Sequence, residues 1–238
     1  MKRLIGLVSF VILLSPCGAQ IPESTGQLLV VTTANWSELH GMAQRYERHA
    51  KGFKKLGSPF PVVVGRTGLA WGRGLEPSTP QDGPSKHEGD GKAPAGLFYL
   101  GTAFGYEAKA TTRLPYLPLN EAIECVDDAD SPHYNELVDS REHPRDWRSS
   151  EQMRRSDELY HYGVVVNHNT PSVRNFGSCI FLHIWRDADS ATVGCTAMEQ
   201  ANILLLLQWF DPRKNPLLVQ MPQTQYQMHR RSWNLPVL

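Results

Sequence analysis

Short strand-like segments recur along the whole chain, and this repetition restricts it to a β-rich fold. Runs of strand composition occupy residues 27–33, 60–64, 97–101, 123–126, 162–167, 178–185 and 217–221. Helical spacing is found at 34–50, where Trp36, Leu39, Met42, Ala43 and Tyr46 lie three and four apart, and again at 151–159 and 197–210. Strand–helix alternation is therefore too sparse for a parallel α/β sheet. The expectation is a mostly β fold with a few helices packed on it, a β-rich α+β architecture. Residues 72–94, rich in Gly, Pro and charge, read as a loop long enough to be functional or mobile.

At 238 residues, with 41% hydrophobic and 20% charged residues, the chain can bury a core and fold as one domain of about 200 residues. Lys+Arg and Asp+Glu both total 24, and no basic stripe or aromatic-interleaved basic patch points to nucleic acid. The first residues read as a secretory signal. Lys2 and Arg3 precede an apolar run, and small residues then lead to a cleavage site after Ala19. Acylation of Cys17 is the lipoprotein alternative, which Pro16 opposes. The apolar run is too short to span a bilayer, and no later stretch is longer, so stable membrane insertion is not expected. No feature specifies an oligomeric state.

Cleavage after Ala19 leaves Cys125, Cys179 and Cys195. The segment 179–198, CIFLHIWRDADSATVGCTAM, places a histidine on a strand and a cysteine twelve positions later. Alternation puts Ile180, Leu182 and Ile184 on one strand face and Cys179, Phe181, His183 and Trp185 on the other. Thr196 and Glu199 fit a capping box, which would set Cys195 at a helix N-terminus, where the dipole favours a thiolate. Cysteine catalysis needs a thiolate, a base and amides for the developing oxyanion. Cys195, His183 and the amides of Gly194 and Cys195 offer these. With Cys195 free, Cys125 and Cys179 can form a disulfide; alternatively all three cysteines are reduced and two are packed in the core. A zinc site drawing on Cys179, His183, His161, His168 and Cys195 competes, but it lacks a second tight ligand pair. No cofactor is expected.

These residues resemble the YkuD-like L,D-transpeptidases, cysteine enzymes that cross-link peptidoglycan. Thr192-Val193-Gly194-Cys195 resembles the family's Ser/Thr-x-Gly-Cys, with Met198 as the hydrophobe that follows. Ala93-Pro94-Ala95-Gly96-Leu97-Phe98 resembles a second family element, and Val62-Val63-Val64-Gly65-Arg66 the strand before it. The resemblance implies an L,D-transpeptidase-like β-sandwich or barrel, Cys195 as nucleophile, His183 as base, and peptidoglycan stem peptides as partners. It divides the chain into a signal at 1–19, an N-terminal strand and helix at 20–60, a catalytic domain at 61–222 and a tail at 223–238.

Three departures mark a divergent branch. His183 is followed by Ile184 where the family has glycine, and Val193 stands where many members carry a second histidine. The motif arginine after the cysteine is missing. Arg186 is the candidate replacement for binding a stem-peptide carboxylate, with Thr192 and Trp185 as further substrate contacts. The same chemistry with water as acceptor would make an L,D-carboxypeptidase or wall amidase, and loss of chemistry would leave a wall-binding module. The expected location is outside the cytoplasmic membrane, in the periplasm or at the wall.

Overall fold

The computed structural model describes residues 20–76 and 82–238; the expected signal peptide and Cys17 fall outside the described residues. In chain order the elements are β1 (Gln27–Thr33), β2 (His40–His49), β3 (Gly52–Val63), β4 (Leu69–Trp71), β5 (Ala93–Gly105) and β6 (Tyr116–Pro118). Then follow β7 (Ile123–Val126), β8 (Leu137–Asp139), β9 (Ser150–Gln152), β10 (Tyr162–Val166), β11 (Phe181–Ile184) and β12 (Thr196–Met198). The helix α1 (Gln200–Trp209), the strand β13 (Leu217–Pro222) and the short helix α2 (Gln223–His229) complete the set.

The strands of the large sheet run β10-β11-β12-β3-β2-β1-β13-β5, and β10 pairs back onto β5, so the hydrogen-bonded path closes. Closure leaves no open edge along that path. β4 and β6 also pair with the long β5. A separate three-stranded sheet has the order β8-β7-β9.

Alternation along each strand feeds two cores. On β1, Leu29 and Val31 join Leu218, Leu182, Ile184 and the buried residues of α1, Ile203, Leu206 and Leu207. Leu28 and Val30 face the other way, with Leu217, Val219 and Tyr226. Residues 223–238, expected as a tail, contribute Tyr226, Trp233 and Leu235 to this second core.

The expected helix at 34–50 is instead occupied by β2 over His40–His49. Ala43 enters the first core and Tyr46 the second. A strand buried on both sides, with a register shift between Ala43 and Arg45, places apolar residues three apart and so imitates helical spacing. Met42, which a helix would have buried, is 45% exposed. The expected helix at 151–159 is also absent: β9 ends at Gln152, and turns follow.

The capping box does not form either. Thr196 lies in β12, where its buried hydroxyl donates to Gln220 Oε1 at 2.7 Å. The residue before α1 is Glu199, which makes no side-chain cap. Cys195 therefore precedes a strand, too far from α1 for a dipole effect confined to the first turn.

Candidate active site

Parallel pairing of β11 with β12 sets His183 beside Ala197 and Leu182 beside Thr196. Cys195, two residues before Ala197, shares the face of His183, because side chains alternate along a strand. Ile180, Leu182 and Ile184 line the first core, whereas Cys179, Phe181 and Cys195 belong to a third cluster with Phe104 and Tyr160. His183 packs edge-on to Tyr160, with ring centroids 5.1 Å apart. The sequence alternation thus places the histidine opposite the Ile/Leu face.

The turn into Cys195 is tied by one hydroxyl. Thr192 Oγ1 accepts from the Gly194 N–H at 3.1 Å and donates to the Cys195 carbonyl at 2.7 Å. The turn is fastened to the chain after β3 by Thr192 N–H donating to Val64 O (3.1 Å) and Arg66 N–H donating to Thr192 O (2.8 Å). A motif Ser or Thr has a physical purpose here: it closes the loop that presents the sulfur. The Gly194 amide is consequently occupied. The Cys195 amide has no hydrogen-bond partner among the described residues, so its N–H is free to donate.

Cys195 is free and 5% exposed. Its Sγ accepts from the Phe181 N–H at 3.3 Å, and its S–H donates to the Cys179 carbonyl at 3.6 Å. Burial pushes the thiol up to about 12, and the neighbouring Glu151 acts in the same direction. His183 is 6% exposed, and its Nδ1 lies 2.8 Å from the Ile184 carbonyl. A carbonyl oxygen only accepts, so Nδ1 carries the proton and Nε2 has its lone pair free. Burial lowers the imidazole to about 4. The free protein accordingly holds a thiol and a neutral imidazole, not an ion pair. No hydrogen bond joins Cys195 to His183; what they share is the wall of one cleft of about 430 Å³.

A second cleft of about 480 Å³ is also lined by Cys195. Arg66, Glu151, Arg155, Val193 and Cys195 line both clefts, so the sulfur stands at their junction. Val193 is 65% exposed there. Glu151 accepts from the Tyr160 hydroxyl, and burial raises its carboxyl. Arg155 is held by Asp157 through two hydrogen bonds of 2.8 and 2.9 Å. Glu151, Arg155 and Tyr160 were not singled out in the sequence. Read as helical, Glu151 and Arg155 become an ordinary surface pair four residues apart, which hides them.

Of the expected substrate contacts, Arg186 is exposed and Trp185 half-buried, both on the wall of the first cleft. Thr192 lines it too, with its hydroxyl already committed to the main chain. Cys125 and Cys179 are joined in a disulfide with Cα atoms 5.9 Å apart. The residues considered for zinc are otherwise engaged. Cys179 is bridged, the His168 ring contacts Phe176 O and Arg73 N, and His161 pairs with Glu158. Among the described residues no group of three or more His, Cys, Asp or Glu is arranged to hold a metal.

No curated protein matches the sequence. Among solved structures, the helical cell shape determining protein Pgp2 from Campylobacter jejuni matches at 12% identity with a TM-score of 0.41, covering 87% of this chain and 51% of that one. The chain thus spans about half the length of that protein. The family described as the L,D-transpeptidase catalytic domain, YkuD, matches residues 50–219. With the match running from the β2–β3 turn into β13, the chain belongs to the YkuD L,D-transpeptidase catalytic domain family.

Proposed function

We propose that the protein is a secreted cysteine transpeptidase acting on peptidoglycan stem peptides through a Cys195 acyl-enzyme, with His183 as general base. The observation that carries this reading is the placement of Cys195 and His183 on one cleft, with Nδ1 anchored to a carbonyl and Nε2 unprotonated. Sγ attacks the diaminopimelate carbonyl of a donor stem while its proton passes to Nε2. The Cys195 N–H receives the oxyanion. Collapse expels the terminal D-alanine, whose amine takes the proton from His183 and leaves a thioester. The amine of a second stem then attacks the thioester and gives up a proton to His183, which passes it to the departing Sγ and restores the neutral pair.

Because the resting pair is neutral, ionisation of the thiol is coupled to substrate binding. The substrate displaces water and brings the carbonyl against the sulfur. Arg186, exposed on the cleft wall, is the group that would meet a stem-peptide carboxylate. Its replacement by alanine should chiefly raise KM, by the equivalent of about 1.5–3 kcal/mol.

The second cleft bordered by Cys195 supports a peptide acceptor over water, since it offers space for a second chain beside the first. Incubation with disaccharide-tetrapeptides and mass analysis of the products tests this. Cross-linked dimer is expected. Tripeptide alone would replace the transpeptidase with an L,D-carboxypeptidase, and no product would leave a wall-binding module. We also infer export, with a mature N-terminus at Gln20; recovery of lipid-modified Cys17 would replace soluble secretion with anchoring.

A further inference from the structure

Two hydrogen bonds of the Cys195 sulfur come from one short run of chain, residues 179–181, and the Tyr160 hydroxyl also faces the sulfur. Phe181 donates its N–H to Sγ, and the Cys179 carbonyl accepts from the S–H. The two partners are held differently. Phe181 opens β11, where it pairs with Val165 of β10, and the residues that follow it pair with β12. Cys179 lies before the strand begins, with a backbone φ of 54°, a left-handed conformation that is costly for a side chain of this type.

Such a conformation persists only where the surroundings impose it. Two ties do so here. The disulfide to Cys125 anchors the side chain to β7 of the small sheet. The Cys179 N–H donates to Asn135 Oδ1 at 2.9 Å. Asn135 is itself clipped in place, since its Nδ2 donates to the carbonyls of His168 and Asn169, each at 3.0 Å. The small sheet makes no strand pairing with the large one, so this disulfide cross-links it directly to the segment that leads into the histidine's strand.

We propose that Cys179, clamped by its bridge to Cys125 and by Asn135, is a positioning residue that parks the Cys195 thiol in its protonated form, aimed at the Cys179 carbonyl. The inference rests on Cys195 being the reactive cysteine, and it concerns the state of the sulfur before substrate arrives. Burial and Glu151 favour S–H, while the Phe181 amide, the Tyr160 hydroxyl and Lys86 favour S⁻. A carbonyl oxygen facing the sulfur adds to the side of S–H. Release of the clamp frees the carbonyl to swing away, while the amide stays in its strand. The balance at the sulfur then shifts toward the thiolate. An acyl donor would have to break the S–H contact with Cys179 before the proton could pass to His183.

The test is the pH dependence of Cys195 carbamidomethylation by iodoacetamide in the full chain, read by intact mass. The variants are Cys125→Ser/Cys179→Ser, which lacks the bridge, and Asn135→Gly, which removes the side-chain tie at a position whose φ of 67° glycine adopts freely. Both should react faster at neutral pH. The double variant should gain about tenfold, matching a downward move of one unit in the midpoint of its profile. Val138→Ala, which trims the small sheet's own apolar cluster without touching the clamp, is the control and should leave the profile unchanged.

A double variant that melts cooperatively with the wild-type profile overturns the proposal, as does a Val138→Ala control that reproduces the shift. If the double variant does not fold, Asn135→Gly decides by the same criterion. Alkylation requires no peptidoglycan. A shifted profile in a protein that turns over no stem peptide would therefore refute the proposed function and leave the clamp standing.

Discussion

At position 183 a single contact does most of the chemical specification. The Ile184 carbonyl fixes the tautomer by accepting from Nδ1, and the edge of Tyr160 fixes the ring plane. Replacing His183 by glutamine should lower acylation by about 10²–10⁴-fold, the range ascribed to a positioned acid–base group, while a cooperative melt persists. A carbapenem should add one adduct to Cys195 in the wild type and none in Cys195→Ser. Labelling elsewhere would displace Cys195 as nucleophile. The same burial has a pH signature. Because the folded imidazole sits at about 4, the unfolded chain takes up a proton below its ordinary 6.5 that the folded chain refuses. The stability from the neutral ring is complete above pH 6.5 and is lost as pH falls toward 4, by about 3 kcal/mol. His168, also lowered to about 4, adds to this loss, and Glu76, raised to about 8 by burial, opposes it. The informative measurement is therefore the difference between wild type and His183→Gln. The variant's melting midpoint should fall less steeply on acidification, and parallel curves would contradict a buried neutral ring.

At the scale of elements, the turn between Thr192 and Cys195 concentrates the local order. Thr192→Val keeps the shape but leaves the Gly194 amide and the Cys195 carbonyl without their shared hydroxyl. The expected cost is about 1–3 kcal/mol in the melt and a fall in kcat, with Thr192→Ser restoring both. A Val variant as active and stable as wild type would reduce Thr192 to a spectator. Strands with simple patterns were legible in the sequence. Residues 27–33 and 123–126 form strands over those same positions, because their neighbours and turns agree with their composition. β2 was not legible, since burial on two faces with a register shift produces a helical rhythm that no local window can separate from a helix. The Thr196/Glu199 pair misled for a related reason. Its spacing is that of a cap, but the side chain of Gln220, on β13, claims the hydroxyl. Cys195 and His183 were readable from their spacing and motif. Glu151, Arg155 and Tyr160 were not, because β9 carries the first and the turns after it carry the others, where a helix was expected at 151–159.

At the scale of the whole molecule, pairing order departs widely from chain order. β13, the last strand among the described residues, pairs in parallel with β1, the first, and antiparallel with β5 on its other side. A chain ending at Asn215 would lack both of these pairings and the aromatic residues that close the second core. It should show no cooperative melt, and a sharp transition in that truncation would disprove the dependence. Contacts so distant in sequence carry a large loop-closure entropy before any compensating burial, which places folding in the slower range of milliseconds to seconds. β13 is thus the keystone of the ring. A chain threaded through a narrow passage with its first residues leading cannot complete this ring until β13 has passed, because the stone that locks it follows the twelve other strands of the described residues.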